Sequence, residues 1–184
     1  MTLTDTLKRP LRDLRISVTD RCNFRCVYCR SADPENYRDH DEILTWPELD
    51  RLARIFVSLG IRKIRITGGE PLVRDGVEDY IARLHALGVA DLSMTTNGYL
   101  LEREADALVE AGIDRVNVSI DSLARDRFHE ITRRDALPQV LRGLEAIAAH
   151  ERVRPIKVNA VAMRDFTEAE AVAFAELARS TDYQ

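Results

Sequence analysis

Short strands with alternating apolar and polar residues constrain the fold of this 184-residue chain more than any other feature. In Leu14-Arg15-Ile16-Ser17-Val18, for example, every second side chain is apolar. Amphipathic helical patterns separate these strands, as in parallel sheets built with right-handed crossovers. We predict five strands, over Leu14–Val18, Arg62–Thr67, Asp91–Thr95, Arg115–Asp121 and Ile156–Val161.

Caps and glycines mark the helix boundaries. Thr45-Trp46-Pro47-Glu48 has the spacing of a capping box, and Gly60 ends the helix that follows. A proline is compatible with a helix only in its first turn, which places Pro138 near a helix start. We predict a second capping box at Thr167–Glu170, and irregular structure over Met1–Pro10 and Ser31–Ile43. The predicted helices run from Thr45 to Leu59, from Asp75 to Gly88, from after Asn97-Gly98 to Gly112, from Leu123 over a short segment, from Ala136 to His150, and from the second capping box to Arg179.

These elements predict an α/β fold, a partial (β/α) barrel with a parallel sheet and outer helices. No Gly-x-Gly-x-x-Gly motif follows the first strand, which argues against a Rossmann fold. Five βα units are too few to close a TIM-type barrel. We therefore expect residues 1–184 to form one incomplete domain, the N-terminal piece of a longer protein. The alternative is a naturally short protein.

The polar strand faces carry information about function. Parallel strands buried on both faces usually read as continuous hydrophobic runs, whereas these strands have one polar face each. We expect the polar faces to line a wet cavity; the alternatives are an open, solvated sheet face or internal salt bridges to Glu70 or Asp121. A cationic cavity favours an anionic ligand such as a polyphosphate, and four cations lie on these faces: Arg15, Lys63, Arg65 and Lys157.

Composition excludes several classes of protein. The chain is 45% hydrophobic and 32% charged, as in soluble globular proteins. Its net charge of −4 does not favour general binding to nucleic acid or membranes. An odd number of clustered cysteines argues against a secreted disulfide framework. We expect a cytoplasmic protein.

All three cysteines lie in one short stretch with the spacing Cys-x3-Cys-x2-Cys. Three thiolates can bind three irons of a cubane cluster, which leaves the fourth iron open to a small molecule. The alternatives are a zinc knuckle completed by a distant histidine, or three buried structural thiols. Scattered along the chain, the four histidines are predicted to be surface or packing residues: His40, His85, His129 and His150.

The cysteine stretch resembles the radical S-adenosylmethionine (SAM) superfamily, with the aromatic Tyr28 before the last cysteine. Thr19-Asp20-Arg21-Cys22-Asn23-Phe24-Arg25-Cys26 is similar to the GTP 3′,8-cyclase (MoaA) family of molybdenum cofactor biosynthesis, which are lyases. The resemblance implies a 4Fe–4S cluster whose open iron binds the methionyl part of SAM. It further implies that a 5′-deoxyadenosyl radical from SAM converts GTP to 3′,8-cyclo-7,8-dihydro-GTP. The implied cluster ligands are Cys22, Cys26 and Cys29.

The same resemblance implies the other site residues. Gly68-Gly69-Glu70-Pro71 resembles the motif that binds the SAM methionine, and Glu70 is a candidate acceptor for the ligand ammonium group. Lys63 has no support from the resemblance. Thr96, Asn97 and Gly98 are expected only to shape their loop, and Arg133-Arg134 to be a solvated charge run in a family segment of unassigned role. The implied SAM contacts are Tyr28, Gly69, Glu70, Ser119 and Asp121, and the implied GTP contacts are Arg15, Arg65, Thr95 and Lys157.

Two departures from the cyclase family matter. Arg30-Ser31 stands where the family commonly has Met-Pro. The family's second cysteine triplet, which binds a second cluster, and a SAM-contacting methionine beyond the fifth strand are absent, so we expect little cyclase turnover from this chain alone. We also expect an electron donor of flavodoxin or ferredoxin type, and a homodimer. The alternatives are another radical SAM enzyme, such as a peptide-modifying maturase, or a non-catalytic metal-binding module.

Overall fold

The computed structural model describes residues 3–29, 37–164 and 166–184. Its sheet has five parallel strands, arranged in chain order. This confirms the predicted partial (β/α) barrel. The last two strands end two residues earlier than predicted, so Asp121 and Val161 lie beyond them. The strands are β1 (Asp13–Ser17), β2 (Lys63–Thr67), β3 (Asp91–Thr96), β4 (Arg115–Ser119) and β5 (Ile156–Asn159).

Six α-helices are present in the described parts of the chain, close to their predicted positions. The predicted capping box of α1 is present, because the Thr45 N–H and hydroxyl both donate to Glu48 Oε2 at 2.7 Å. Pro138 lies in the first turn of its helix, as predicted. The helices are α1 (Trp46–Ser58), α2 (Val77–Ala86), α3 (Leu101–Ala111), α4 (Arg125–Thr132), α5 (Leu137–Ala148) and α6 (Ala171–Ser180), with 3-10 turns at His40–Glu42, Pro71–Val73 and Glu168–Glu170.

The segment Ser31–Ile43, predicted as irregular, contains one short turn, His40–Glu42, and its residues 31–36 lie outside the described residues. The prediction about the start of the last helix was wrong. The second capping box does not start the last helix, because Thr167 makes no side-chain cap and α6 begins only at Ala171. Glu170 is instead buried and bonded to a distant loop.

The apolar strand faces form the core with the helices. α3 and α5 pack closely, and Gly143 allows the approach, since a Cβ there would lie 2.5 Å from the Gly98 carbonyl oxygen. Burial of these side chains is the main favourable contribution to folding. At most 1% of each of the following strand residues is exposed: Ile64, Ile66, Leu92, Met94, Val116, Val118 and Ile156.

On the opposite face, polar residues form rows across the sheet. Arg15 pairs in register with Arg65, and Ser93 pairs with Arg115. These rows follow from the two-residue side-chain period of parallel strands. One row further along, Thr95 pairs with Asn117, and Asn117 with Lys157.

The N-terminal residues lie against α1. Leu3 N–H donates to the Leu59 carbonyl at 3.2 Å, and Thr4 forms an isolated bridge with Pro10.

No helix in the described ranges combines the length and apolar character needed to cross a bilayer.

Candidate functional site

The loop after β1 carries the three cysteines at the carboxyl edge of the sheet. Cys22 and Cys26 are partly buried, Cys29 is exposed, and all three thiols are free. Phe24 N–H donates to the Cys22 sulfur at 3.4 Å, and Cys29 N–H donates to the Cys26 carbonyl at 2.9 Å. The loop therefore turns back on itself and places the predicted cluster ligands at one end of the sheet.

The surroundings of Cys22 and Cys26 favour the protonated form of these two thiols. Burial raises the pKa of Cys26 to about 12, and the Asp121 carboxylate and the Cys22 and Cys29 thiols add to this shift. Burial also raises the pKa of Cys22. Such thiols are held as thiolates only when a cation binds them. The donor set thus fits a positively charged iron centre.

A buried amide beside Cys22 also fits a cluster. Asn23 Nδ2 is buried without a hydrogen-bond partner in the described parts of the chain. Cluster sulfides are acceptors that the polypeptide itself does not provide, and buried donors are normally satisfied. Across the described ranges, no three His, Cys, Asp or Glu side chains form a group that could hold a single metal ion.

Two glycines let the loop after β2 touch the cysteine loop. A Cβ on Gly69 would lie 2.3 Å from the Arg21 carbonyl oxygen, and one on Gly68 would lie 2.6 Å from that of Thr19. Gly69 N–H donates to the Thr19 carbonyl at 2.6 Å, and Glu70 N–H to the Arg21 carbonyl at 2.8 Å. The close backbone approach itself therefore requires glycine here, before any ligand is considered.

Glu70 joins the loops that follow β2 and β3. Its Oε1 accepts from the Thr96 hydroxyl at 2.7 Å and from Leu72 N–H at 3.1 Å, and its Oε2 accepts from Asn97 N–H at 2.6 Å. The residue is only 1% exposed, and burial raises the pKa of its carboxyl from 4.5 to about 7. Both oxygens are therefore used within the protein, and the contact to a ligand ammonium group stays a prediction.

Asn97 contacts the cysteine loop, a role that the sequence analysis missed. Its Nδ2 donates to Asn23 Oδ1 at 2.6 Å and lies 3.8 Å from the Cys22 sulfur. The position of Asn97 in the sequence could have predicted this contact, because the carboxyl ends of parallel strands meet at one edge of a sheet. Asn97 directly follows β3, just as the cysteine loop follows β1.

Tyr28 and Asp121, two predicted SAM contacts, are in contact with each other. The Tyr28 hydroxyl donates to Asp121 Oδ2 at 2.5 Å, and Val161 N–H donates to Asp121 Oδ1 at 2.9 Å. Burial raises the pKa of Tyr28, and the Asp121 carboxylate adds to the shift. Ser119, at the end of β4, is partly buried and lies opposite Asn159 in the register. SAM binding by these residues stays a prediction.

The predicted GTP residues lie on the polar strand face. Arg15 and Arg65 border an open cavity of about 450 Å³ that Lys63 and Ser93 also line. Arg65 Nε lies 3.5 Å from Ser93 Oγ. The other two predicted contacts, Thr95 and Lys157, flank Asn117 in the register one row away.

The charges of this face are largely unpaired. In the described ranges, no salt bridge is formed by Arg15, Lys63, Arg65 or Lys157, whereas Arg115 pairs with Asp91. Glu70 and Asp121, the carboxylates considered as internal partners, are bonded elsewhere. The face therefore keeps positive charge available for a ligand.

Interpreting Arg133-Arg134 as a solvated charge run was wrong for Arg134. Its Nη1 donates to the Asn23 carbonyl at 2.9 Å and its Nη2 to the Tyr99 hydroxyl at 3.0 Å. Arg133 is exposed and reaches the Arg25 carbonyl at 3.4 Å. The turn after α4 thus contacts the cysteine loop directly.

The histidines with described side chains lie on helices or next to one. His150 pairs with Asp106 at 2.9 Å, and His85 and His129 are exposed. The side chain of His40 lies outside the described part of the structure, so its role stays a prediction.

Comparisons with known proteins place the chain in a family. The sequence pattern of the Radical SAM superfamily matches residues 16–178. The "GTP 3′,8-cyclase" of Pelotomaculum thermopropionicum is 46% identical over 176 residues, which cover 95% of this chain and 54% of that protein. "Molybdenum cofactor biosynthesis protein 1" of Drosophila melanogaster is 46% identical over 179 residues, covering 97% of this chain and 31% of the fly protein.

A solved structure agrees on the fold. The crystal structure of Streptococcus suis SuiB bound to precursor peptide SuiA superposes with a TM-score of 0.71 at 18% identity, covering 89% of this chain and 36% of SuiB. At this identity the likeness concerns the fold alone. The sequence match over residues 16–178 shows that this chain belongs to the radical SAM superfamily, whose members use a 4Fe–4S cluster and SAM.

Proposed function

We propose that this chain is the SAM-cleaving part of a GTP 3′,8-cyclase, a lyase of molybdenum cofactor biosynthesis. The names of its relatives support this, and the chain spans about half the length of the bacterial relative. The observation that carries the proposal is the presence, on one sheet, of a three-thiol loop and an unpaired cationic strand face. The loop would hold a radical-generating cofactor, and the cationic face would hold a polyphosphate substrate.

Cys22, Cys26 and Cys29 would hold the cluster through their thiolates. SAM would lie at the carboxyl edge, against the loops after β1, β2 and β4. When bound, the cluster and SAM together supply a 5′-deoxyadenosyl radical. The protein would orient the substrate and exclude water from the reacting atoms. The proposed SAM contacts are Tyr28, Gly69, Glu70, Ser119 and Asp121.

The polar strand face would bind the GTP triphosphate. Arg15 and Arg65 are adjacent in register, so their guanidinium groups are placed to share one anion. Lys157 and Thr95 lie one row closer to the carboxyl edge. With the residues in these positions, the phosphates would lie in the cavity and the nucleoside would point toward the cysteine loop.

Anaerobic reconstitution tests the proposal. We expect the protein to take up iron and sulfide, and the electron paramagnetic resonance (EPR) signal of its reduced cluster to change when SAM is added. In the intact protein, reductant, SAM and GTP should yield the cyclised nucleotide. Uptake of zinc alone would favour a metal-binding module, and SAM cleavage with a peptide but not with GTP would favour a maturase.

An electron donor of flavodoxin or ferredoxin type is part of the proposal. Four arginines surround the outer side of the cysteine loop on a protein with a net charge of −4. None of them forms a salt bridge in the described parts of the chain, and Arg25 and Arg134 bond to backbone carbonyls of that loop. A positive rim suits an acidic redox partner. This basic rim consists of Arg21, Arg25, Arg133 and Arg134.

Charge reversal tests the rim. We expect Arg21→Glu with Arg133→Glu to slow cluster reduction by reduced flavodoxin, with little change in reduction by dithionite. Arg51→Glu with Arg54→Glu is the matched control, since these arginines are exposed on α1 and form no salt bridge in the described ranges. Equal slowing by both pairs would contradict the rim as the docking surface.

The cytoplasmic location and the homodimer also belong to this proposal. Three free thiols in one loop support a reducing compartment. Light scattering of the intact protein would test the dimer.

A further inference from the structure

A closed ring of hydrogen bonds lies beside the first cysteine, Cys22. Arg134 donates to the Asn23 carbonyl at 2.9 Å and to the Tyr99 hydroxyl at 3.0 Å. Tyr99 N–H donates to Asn97 Oδ1 at 3.0 Å, and Asn97 Nδ2 donates to Asn23 Oδ1 at 2.6 Å. The ring joins the cysteine loop, the loop after β3 and the turn after α4.

The ring determines which way both carboxamides face. Because Tyr99 N–H requires an acceptor, the oxygen of Asn97 must face Tyr99 and its Nδ2 must face Asn23. That Nδ2 in turn requires the oxygen of Asn23, which leaves Asn23 Nδ2 as the buried, unpartnered donor. Asn97 Nδ2 also lies 3.8 Å from the Cys22 sulfur. Asn97 Nδ2 is thus the amide donor held beside this predicted cluster ligand, while Asn23 places its Oδ1 4.0 Å from the same sulfur.

Arg134 is itself held firmly. Its guanidinium lies 4.2 Å from the centroid of the Tyr99 ring, and Tyr99 packs edge-on against Phe24 at 5.9 Å. Thr132 and Ile131 add backbone bonds, since their carbonyls accept from Arg25 N–H at 3.1 Å and Val27 N–H at 2.9 Å. The end of α4 and the turn after it therefore hold the backbone of the cysteine loop in place.

We propose that Arg134 is a positioning residue, which through Tyr99 directs the side-chain amide of Asn97 toward the Cys22 side of the iron–sulfur cluster. Hydrogen bonds to cluster sulfur stabilise the more negative, reduced state, so this ring raises the reduction potential of the cluster. It also slows cluster loss by holding the loop around Cys22. The proposal rests on the proposed cluster site.

The test compares Arg134→Lys and Asn97→Leu with the unchanged protein after anaerobic reconstitution. Outer contacts of a metal site typically change its affinity by about tenfold or more, so we expect a chelator to remove the cluster from Arg134→Lys about tenfold faster. In Asn97→Leu, which lacks the side-chain amide donor of Asn97, the EPR-monitored reduction potential of the SAM-sensitive cluster should fall. Arg125→Lys on α4 is the control, because Arg125 pairs with Asp135 outside the ring.

The readouts separate positioning from general stability. We expect the cluster-free forms of Arg134→Lys and Arg125→Lys to unfold at similar temperatures. Unchanged potential in Asn97→Leu together with unchanged cluster loss in Arg134→Lys would overturn the inference. So would cluster loss that merely follows a lower unfolding temperature. If the unchanged protein takes up no cluster, the proposed function fails instead.

Discussion

At the carboxyl edge of the sheet, the buried carboxylates are bonded by the protein itself, whereas four cations on the strand face form no salt bridge within the described ranges. Glu70 and Asp121 each accept donors from other loops at the edge. Arg15 and Lys157 on the strand face form no salt bridge within the described ranges. The hydrogen bonds of these carboxylates at the edge are therefore formed without a ligand, while the charges on the strand face are balanced only when an anion binds.

Because of this difference, substitutions at the edge should mainly change folding stability, and substitutions on the strand face should mainly change ligand binding. Removing a bonded group at the edge leaves its partners unsatisfied and costs folding free energy. Removing an unpaired cation from the face relieves repulsion with its neighbours, so folding changes little while binding of an anion weakens.

The largest effect is expected at the cysteines. Cys22→Ala, Cys26→Ala and Cys29→Ala should each abolish the SAM-sensitive cluster, because each thiolate holds a different iron. Iron and sulfide analysis with EPR measures this. Ser58→Ala on the exposed face of α1 is the control, and full cluster content in any cysteine variant would contradict that ligand's assignment.

A methyl group on Gly69 should destabilise the edge strongly. Its Cβ would lie 2.3 Å from a backbone oxygen of the cysteine loop, so Gly69→Ala should cost about 2–4 kcal/mol of unfolding free energy. Urea denaturation of the cluster-free protein measures the loss. Gly88→Ala is the matched control, since no atom lies within 4 Å of its Cβ position and only its positive φ of 71° adds strain. A smaller loss at Gly69 than at Gly88 would contradict the close approach.

Glu70 should make stability depend on pH. Its pKa is raised from 4.5 to about 7, so the folded state holds a proton that the unfolded state releases between these values. Stability should therefore fall as pH rises from about 4.5 to about 7, by roughly 3 kcal/mol in total. Denaturation across this range, compared with Glu70→Gln, measures the effect. Identical slopes in both proteins would rule out Glu70 as the cause.

Changes on the strand face should affect folding least. Arg65→Gln should alter the unfolding free energy by less than about 0.5 kcal/mol while weakening GTP binding about tenfold. Denaturation and calorimetry measure the two effects. Arg103→Gln, an exposed position on α3, should leave both unchanged. Destabilisation by Arg65→Gln without a loss of GTP affinity would reverse the division between edge and face.

The strands and most helix starts could be predicted because their causes are local. Alternation within Lys63–Thr67 and the cap at Thr45 depend on residues close together in the chain. The capping box predicted at Thr167–Glu170 shows the limit. Glu170 accepts from Ser122 Oγ and Leu123 N–H, both at 2.6 Å, and these distant donors compete successfully with the local cap.

The supporting contacts of the site could not be predicted for the same reason. Cys22 and Glu70 are recognisable by motif, but Asn97 and Arg134 act through residues more than seventy positions away. No local pattern distinguishes Arg134 from a solvated arginine. Only the folded chain brings the turn after α4 against the cysteine loop.

The most direct test of the division between edge and face is the affinity of the protein for GTP, GDP, GMP and guanosine by calorimetry at low and high salt. The account predicts that affinity falls with each phosphate removed and that added salt weakens GTP binding most, because the unpaired cations hold the triphosphate. Equal affinity for GTP and guanosine, independent of salt, would contradict it.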